Sequence, residues 1–109
     1  MAFAQVAGTG FEGRADKIKK WCKVGIKAFL KREPNNKYDE NAIKVFIKAK
    51  PFFGLIGSRN KHIGYIKADR AKKIAKKFDE GKQFSCTVSK VYAPSNIKFP
   101  EVTIEFKEI

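Results

Sequence analysis

At 109 residues and 43% hydrophobic side chains, the chain is long enough for one globular domain, residues 1–109, burying roughly two thirds of the surface its unfolded form exposes. No apolar run approaches the ~20 residues that cross a bilayer, and two distant cysteines with a single histidine, His62, cannot supply a four-ligand zinc site. The charge is lopsided, 24 Lys and Arg against 11 Asp and Glu for a net +13, and such a field attracts polyanions, nucleic acid foremost.

The opening MAFAQVAGTG lacks a basic stretch followed by an apolar one, so no signal peptide is expected and the cytoplasm is the expected compartment. Cys22 and Cys86 then read as small buried hydrophobes in a reducing environment. Because the cations are nearly all lysine, the charge also admits a compositional origin. Ten Phe, three Tyr and one Trp interleaved with those lysines tilt the reading towards base stacking beside a basic groove.

Along the chain, apolar alternation with a period of two dominates. Phe3–Thr9 is the first expected strand, followed by a Gly-rich bend, GTGFEGR. ADKIKKWC (Ala15–Cys22) is a short helix of a turn or two. In KVGIKAFLKRE, Val24, Ile26, Ala28 and Leu30 share one face of a strand and Lys23, Lys27 and Lys31 the other. AIKVFIK turns Ile43, Val45 and Ile47 inward and Lys44 and Lys48 outward, and HIGYIK is a short strand. In ADRAKKIAKKFDEG, Ala71, Ile74, Ala75 and Phe78 recur at helical spacing, with Asp69 in the first turn and Gly81 suited to the C-terminal cap. Its outer Arg70, Lys73, Lys76 and Lys77 form either a solvated face or a binding one. KQFSCTVSKVY, with Phe84, Cys86 and Val88, and EVTIEFKE, with Val102, Ile104 and Phe106, complete six strands. Six short strands and one clear helix point to a mainly β fold, either a strongly bent sheet or a partly open barrel, antiparallel where connections are short.

Catalytic signatures are missing. GLIGSRNK lacks the closing Gly-Lys pair of a phosphate-binding loop, and His62 has no nucleophile motif to serve. Asp39–Glu40 and Asp79–Glu80 are adjacent pairs, not the clustered carboxylates that metal-dependent phosphoryl chemistry needs. Asp39–Asn41 resembles a calcium loop but lacks its Gly and distal Glu. The chain reads as a binder, with no cofactor.

The segment REPNNKYDENAI carries the strongest signal. Pro34 fixes its own φ and extends Glu33, while Asn35 and Asn36 suit a tight turn. Asp39 and Asn41 serve either as turn-capping groups or as ligand contacts. Tyr38, a ring in a polar turn, must fold back on the core or stand ready for a ligand.

VAGTGFEGR, VGIKAFLKREPNNKYDENAIKVF and HIGYIKADRAKKIA together resemble the HIRAN domain, over Val6 to about Ile104. That module stands at the N-terminus of helicase-like transcription factor and of Rad5-type repair ATPases, and also occurs as short free-standing bacterial and phage proteins. The resemblance implies a six-stranded antiparallel OB-like β-barrel with one clear helix and one short helix packed against it. It implies binding of single-stranded DNA with preference for a free 3′ end, in DNA repair or replication-fork processing. Phe11 matches the aromatic that stacks on a base; Asn36, Tyr38 and Asp39 match the pocket for the terminal nucleotide and its 3′-hydroxyl. Tyr65 and Lys67 match the segment that approaches the backbone, and Ile97 or Phe99 is the aromatic-site candidate near the last hairpin. The sequence departs from the eukaryotic pattern at Gly10, where an Arg precedes the stacking ring, and at Tyr65, where a His stands. The motor ATPase is absent from this sequence, so helicase action implies an ATPase partner in trans. Two other readings stay open: a general single-stranded binder that includes RNA, and a protein-interaction module with incidental charge.

Overall fold

A computed structural model describes residues 2–49 and 59–109; most of GLIGSRNK lies outside them. Eight elements follow in order: β1 (Ala2–Ala7), α1 (Arg14–Trp21), β2 (Lys27–Arg32), β3 (Ile43–Ala49), β4 (Arg59–Ile66), α2 (Ala68–Asp79), β5 (Phe84–Tyr92) and β6 (Glu101–Glu108). The strands form a closed antiparallel barrel in the order β1-β4-β3-β2-β5-β6. A partly open barrel is therefore corrected to a closed one. The reason is β1, whose residues Ala2 to Gln5 pair with β6 while Val6 and Ala7 pair with β4.

Alternation carries the inside of the barrel. Ile43, Val45 and Ile47 of β3, Val88 of β5 and Ile104 of β6 are buried almost without exposure. Ile18 of α1 and Ala71, Ile74 and Ala75 of α2 join the same core. Each fully buried Ile or Val contributes about 1.5–3 kcal/mol relative to exposure. Cys22 and Cys86 are buried free thiols, and burial pushes them up to about 12 and about 11 respectively.

The second strand starts later than expected. Lys23 to Ile26 form a connection in which Gly25 adopts φ +93° and donates its N–H to the Val88 carbonyl at 2.8 Å. Val24, expected on the inner face, is 65% exposed as a result. The first strand likewise ends at Ala7 rather than Thr9.

One glycine makes closure possible. Gly64 of β4 sits beside an irregularity in the β3–β4 register, after Val45, with φ +153°. A Cβ there would collide with the Ala7 carbonyl and come within 2.6 Å of Val6 Cγ1. Gly64→Ala should therefore cost about 1–3 kcal/mol through overpacking, read as a lower urea midpoint. Gly81→Ala, where a Cβ meets open space despite φ +88°, should lose less in the same measurement.

Candidate nucleic-acid interface

The turn Glu33–Ala42 joins β2 to β3 and is held by its own side chains. Asn36 Oδ1 accepts the N–H groups of Tyr38 (2.9 Å) and Asp39 (3.0 Å), and Asp39 Oδ1 accepts that of Asn41 (2.8 Å). These are the short-range bonds that Asn and Asp make in turns. Asn36 and one Asp39 oxygen thus organise the loop. Asp39 Oδ2 accepts no hydrogen bond from the described residues, and Tyr38 is lifted out of the turn at 86% exposure.

Glu33 connects this turn to the barrel wall. Its Oε1 accepts from Asn36 Nδ2 at 2.6 Å and from the Tyr65 hydroxyl at 3.3 Å, and its Oε2 pairs with Lys44 Nζ at 2.8 Å. Lys44 and then Asn36 hold the Glu33 carboxyl below the usual carboxylate range, while Glu33 raises Lys44 in return. Tyr65 is shifted upward by its partial burial and by the nearby Glu33 charge.

Tyr65 then reaches the Gly-rich bend. Its ring lies 5.2 Å beneath the Arg14 guanidinium and edge-on to His62 at 5.1 Å. His62 is held below its ordinary value by burial and by the Arg14 charge. Arg14 is buried, donating Nη1–H to the Gly8 carbonyl (2.8 Å) and Nη2–H to Glu12 (2.9 Å). The bend holds Gly8, Glu12 and Gly13 at positive φ, an arrangement that is uncommon for Glu12. It presents Phe11 at 58% exposure.

Phe11 packs edge-on against Phe99, ring centroids 5.4 Å apart. Both Ile97 and Phe99 line a groove of about 900 Å³ with Thr9, Lys67, Lys90 and Tyr92, but Phe99 is the ring that meets Phe11. Gly10 follows from that contact. A Cβ at Gly10 would lie 2.6 Å from two Phe99 ring carbons, so no side chain fits there while Phe99 holds its place. Lys67, at the start of α2, donates its backbone N–H to Gln5 O and its Nζ to Gln5 Oε1 (3.3 Å).

Tyr65 and the turn residues Asn36, Tyr38 and Asp39 are therefore tied together through Glu33. Arg14 links them to the bend bearing Phe11, and Lys67 stands on the groove beside Phe99. Glu33 and Arg14 were not among the expected site residues, and Lys44 was expected only as one of the outward lysines that meet phosphates. The only sequence signals for Glu33 and Arg14 are the acid before Pro34 and the Arg that closes GTGFEGR. Among the described residues no cluster of His, Cys, Asp or Glu could hold a metal ion, and no helix is long and apolar enough to cross a membrane.

The architecture is that of a small closed antiparallel β-barrel, strongly basic and bearing several exposed aromatic rings. Residues 1–107 match the HIRAN domain model, and the chain belongs to that family. The HIRAN domain is a nucleic-acid-binding module that also sits in helicase-like proteins. Among solved structures, a protein from Lactobacillus plantarum is similar at 21% identity and a TM-score of 0.70, over 99% of this chain and 92% of that one. The HIRAN domain of human HLTF is similar at 22% identity and a TM-score of 0.58, over 96% of this chain and 73% of that one. No curated protein matches.

The Glu33 cluster has a pH signature. A carboxyl lowered in the folded state adds stability above its ordinary value of 4.5, and that stability is lost as pH falls below it. Glu33→Gln should melt lower than the native chain near neutral pH, with the gap narrowing as pH drops through the acid range. Thermal melts across that range check this; a constant gap would mean that Glu33 acts through shape alone.

Proposed function

We propose that this domain binds single-stranded DNA and reads its free 3′ end, as one module of residues 1–109 that acts beside an ATPase supplied in trans. The observation that carries the reading is the turn Glu33–Ala42. In a chain of net +13, it offers an exposed tyrosine and a carboxylate with one oxygen left over beside a basic wall. A carboxylate repels phosphate, so it is ill suited to a module that only grips backbone. It suits a chain that ends in a hydroxyl, which can donate a charge-assisted hydrogen bond worth about 1.5–3 kcal/mol.

In this reading Asp39 Oδ2 accepts the 3′-hydroxyl proton and Tyr38 lies against the last nucleotide. Asn36 acts by holding the turn that aims both. Phe11 stacks on a base, with Phe99 buttressing its edge. Tyr65 stands where the eukaryotic pattern has His; its hydroxyl is engaged with Glu33, so its part is to position the turn. Lys67, with Lys23, Lys27, Lys31, Lys44 and Lys48, supplies attraction for phosphates, each contacting lysine adding roughly 0.7 to the slope of log affinity against log salt.

Fluorescence anisotropy with labelled oligonucleotides tests the reading. A 3′-phosphate should weaken binding by at least about tenfold, the equivalent of about 1.4 kcal/mol, while a 5′-phosphate changes little. Asp39→Asn should shrink that discrimination more than it lowers overall affinity. Equal binding of 3′-hydroxyl, 3′-phosphate and circular strands would reduce Asp39 to a turn cap. Equal or tighter binding of RNA would turn the assignment to RNA, and no binding to any strand at low salt would favour a protein partner.

Phe11→Ala separates a stacking ring from a packing one. It should lose about 1–3 kcal/mol of binding, the usual worth of a base stack, with little change in melting temperature. A large fall in melting temperature with affinity intact would place the ring among the structural residues instead.

A further inference from the structure

The outer face of the β2–β3 pair repeats one pattern. Lys27-Ala28-Phe29-Leu30-Lys31 and Lys44-Val45-Phe46-Ile47-Lys48 each turn Lys, Phe and Lys away from the core. The register sets Phe29 across from Phe46 and Lys31 across from Lys44, and by the same register Lys27 faces Lys48. Like charges directly opposite on one sheet face repel and destabilise it. Glu33 offsets Lys44 at 2.8 Å, whereas among the described residues no acid pairs with Lys27, Lys31 or Lys48.

Between the two lysine rows lies a row of rings. Phe46 stacks tilted on His62 of β4, centroids 5.2 Å apart, and Phe29 is 39% exposed in mid-strand. Neither phenylalanine is part of the core cluster, which Ala28, Val45 and Ile47 from the same strands already fill. A flat aromatic row flanked by four lysines, three of them without an acidic partner among the described residues, is poorly suited to water and to a basic or neutral protein. It matches a polyanion with flat groups.

We propose that this row is a second stacking platform, for bases upstream of the terminal nucleotide, with the lysine rows holding the phosphates on either side. The inference rests on the single-strand reading above and gives the strand a path. From the Glu33–Ala42 turn it passes Lys31 and Lys44, crosses Phe29 and Phe46, and leaves by Lys27 and Lys48. At about 3.3 Å per residue, Lys44 to Lys48 spans about 13 Å, room for a few stacked bases. The platform would make affinity depend on length as well as on the end.

The test is a length series of 3′-hydroxyl oligothymidylates, from dinucleotide to octanucleotide, titrated against the full chain. Affinity should climb at least about tenfold over the series. Phe29→Leu/Phe46→Leu keeps apolar volume and removes the rings; it should abolish most of that gain at unchanged melting temperature. The dinucleotide affinity and the discrimination against 3′-phosphate should be untouched, and Phe29→Tyr/Phe46→Tyr should retain the gain. Equal affinity for dinucleotide and octanucleotide, or a gain that survives in the Leu variant, overturns the platform and leaves end reading intact. A ring-dependent gain without 3′ discrimination supports the platform and overturns end reading. Absence of binding to every oligonucleotide overturns both.

Discussion

The structure depends on one strand serving two neighbours. β1 pairs with β6 along its first four residues and with β4 along its last two, and that exchange closes the barrel. It requires the β1 backbone to approach β4 more closely than any side chain allows, which is why position 64 is glycine. Once β1 leaves β4 at Ala7, the chain must bend at once. The bend falls beside Tyr65, so closure and the placing of Phe11 are one geometric event. Ile18, about one turn into α1, then enters the core and anchors the helix.

Charge is the second organiser, and it works through scarcity. Acids are few, and among them Glu33 has the most partners. Glu33 binds the turn through Asn36, β3 through Lys44 and β4 through Tyr65, so one carboxylate fixes the spatial relation of the turn and two strands. Its two oxygens are both engaged, and it is therefore no competitor for a ligand. Asp39, by contrast, keeps an oxygen in reserve. Two carboxylates six residues apart thus differ in role because one is surrounded by donors and the other only caps its own turn.

Much of this was legible in the sequence, and the remainder was not for physical reasons. Period-two alternation marked β3, β5 and β6 because their inner faces are almost purely apolar, and Ala71, Ile74 and Ala75 marked α2. Phe11 and Tyr38 stood out as rings outside any alternating run. The start of β2 was misread because Val24 continues the alternation by coincidence, while the positive φ of Gly25 breaks the strand. The partners of Glu33 were invisible, since Lys44 and Tyr65 meet it only through strand register. Ile97 and Phe99 could not be separated by position, because the deciding contact is with Phe11, far away in the chain. The meaning of Gly10 waited on the same contact.

The β1–β4 seam has a further consequence. Its ladder consists of Val6 with Ile66 and Ala7 with Tyr65, extended at its mouth by the Lys67 N–H to the Gln5 carbonyl, whereas β5 and β6 pair from Phe84 to Tyr92. A short ladder opens at lower free energy than a long one, so the seam is a natural site of sub-global opening and of faster amide exchange than the β5–β6 ladder. Phe11 and Tyr65 flank it. A ligand touching both sides acts as a clasp, stabilising the closed form by mass action. Occupancy would register as slowed exchange at Val6 and Ala7 while the shape of the barrel stays the same.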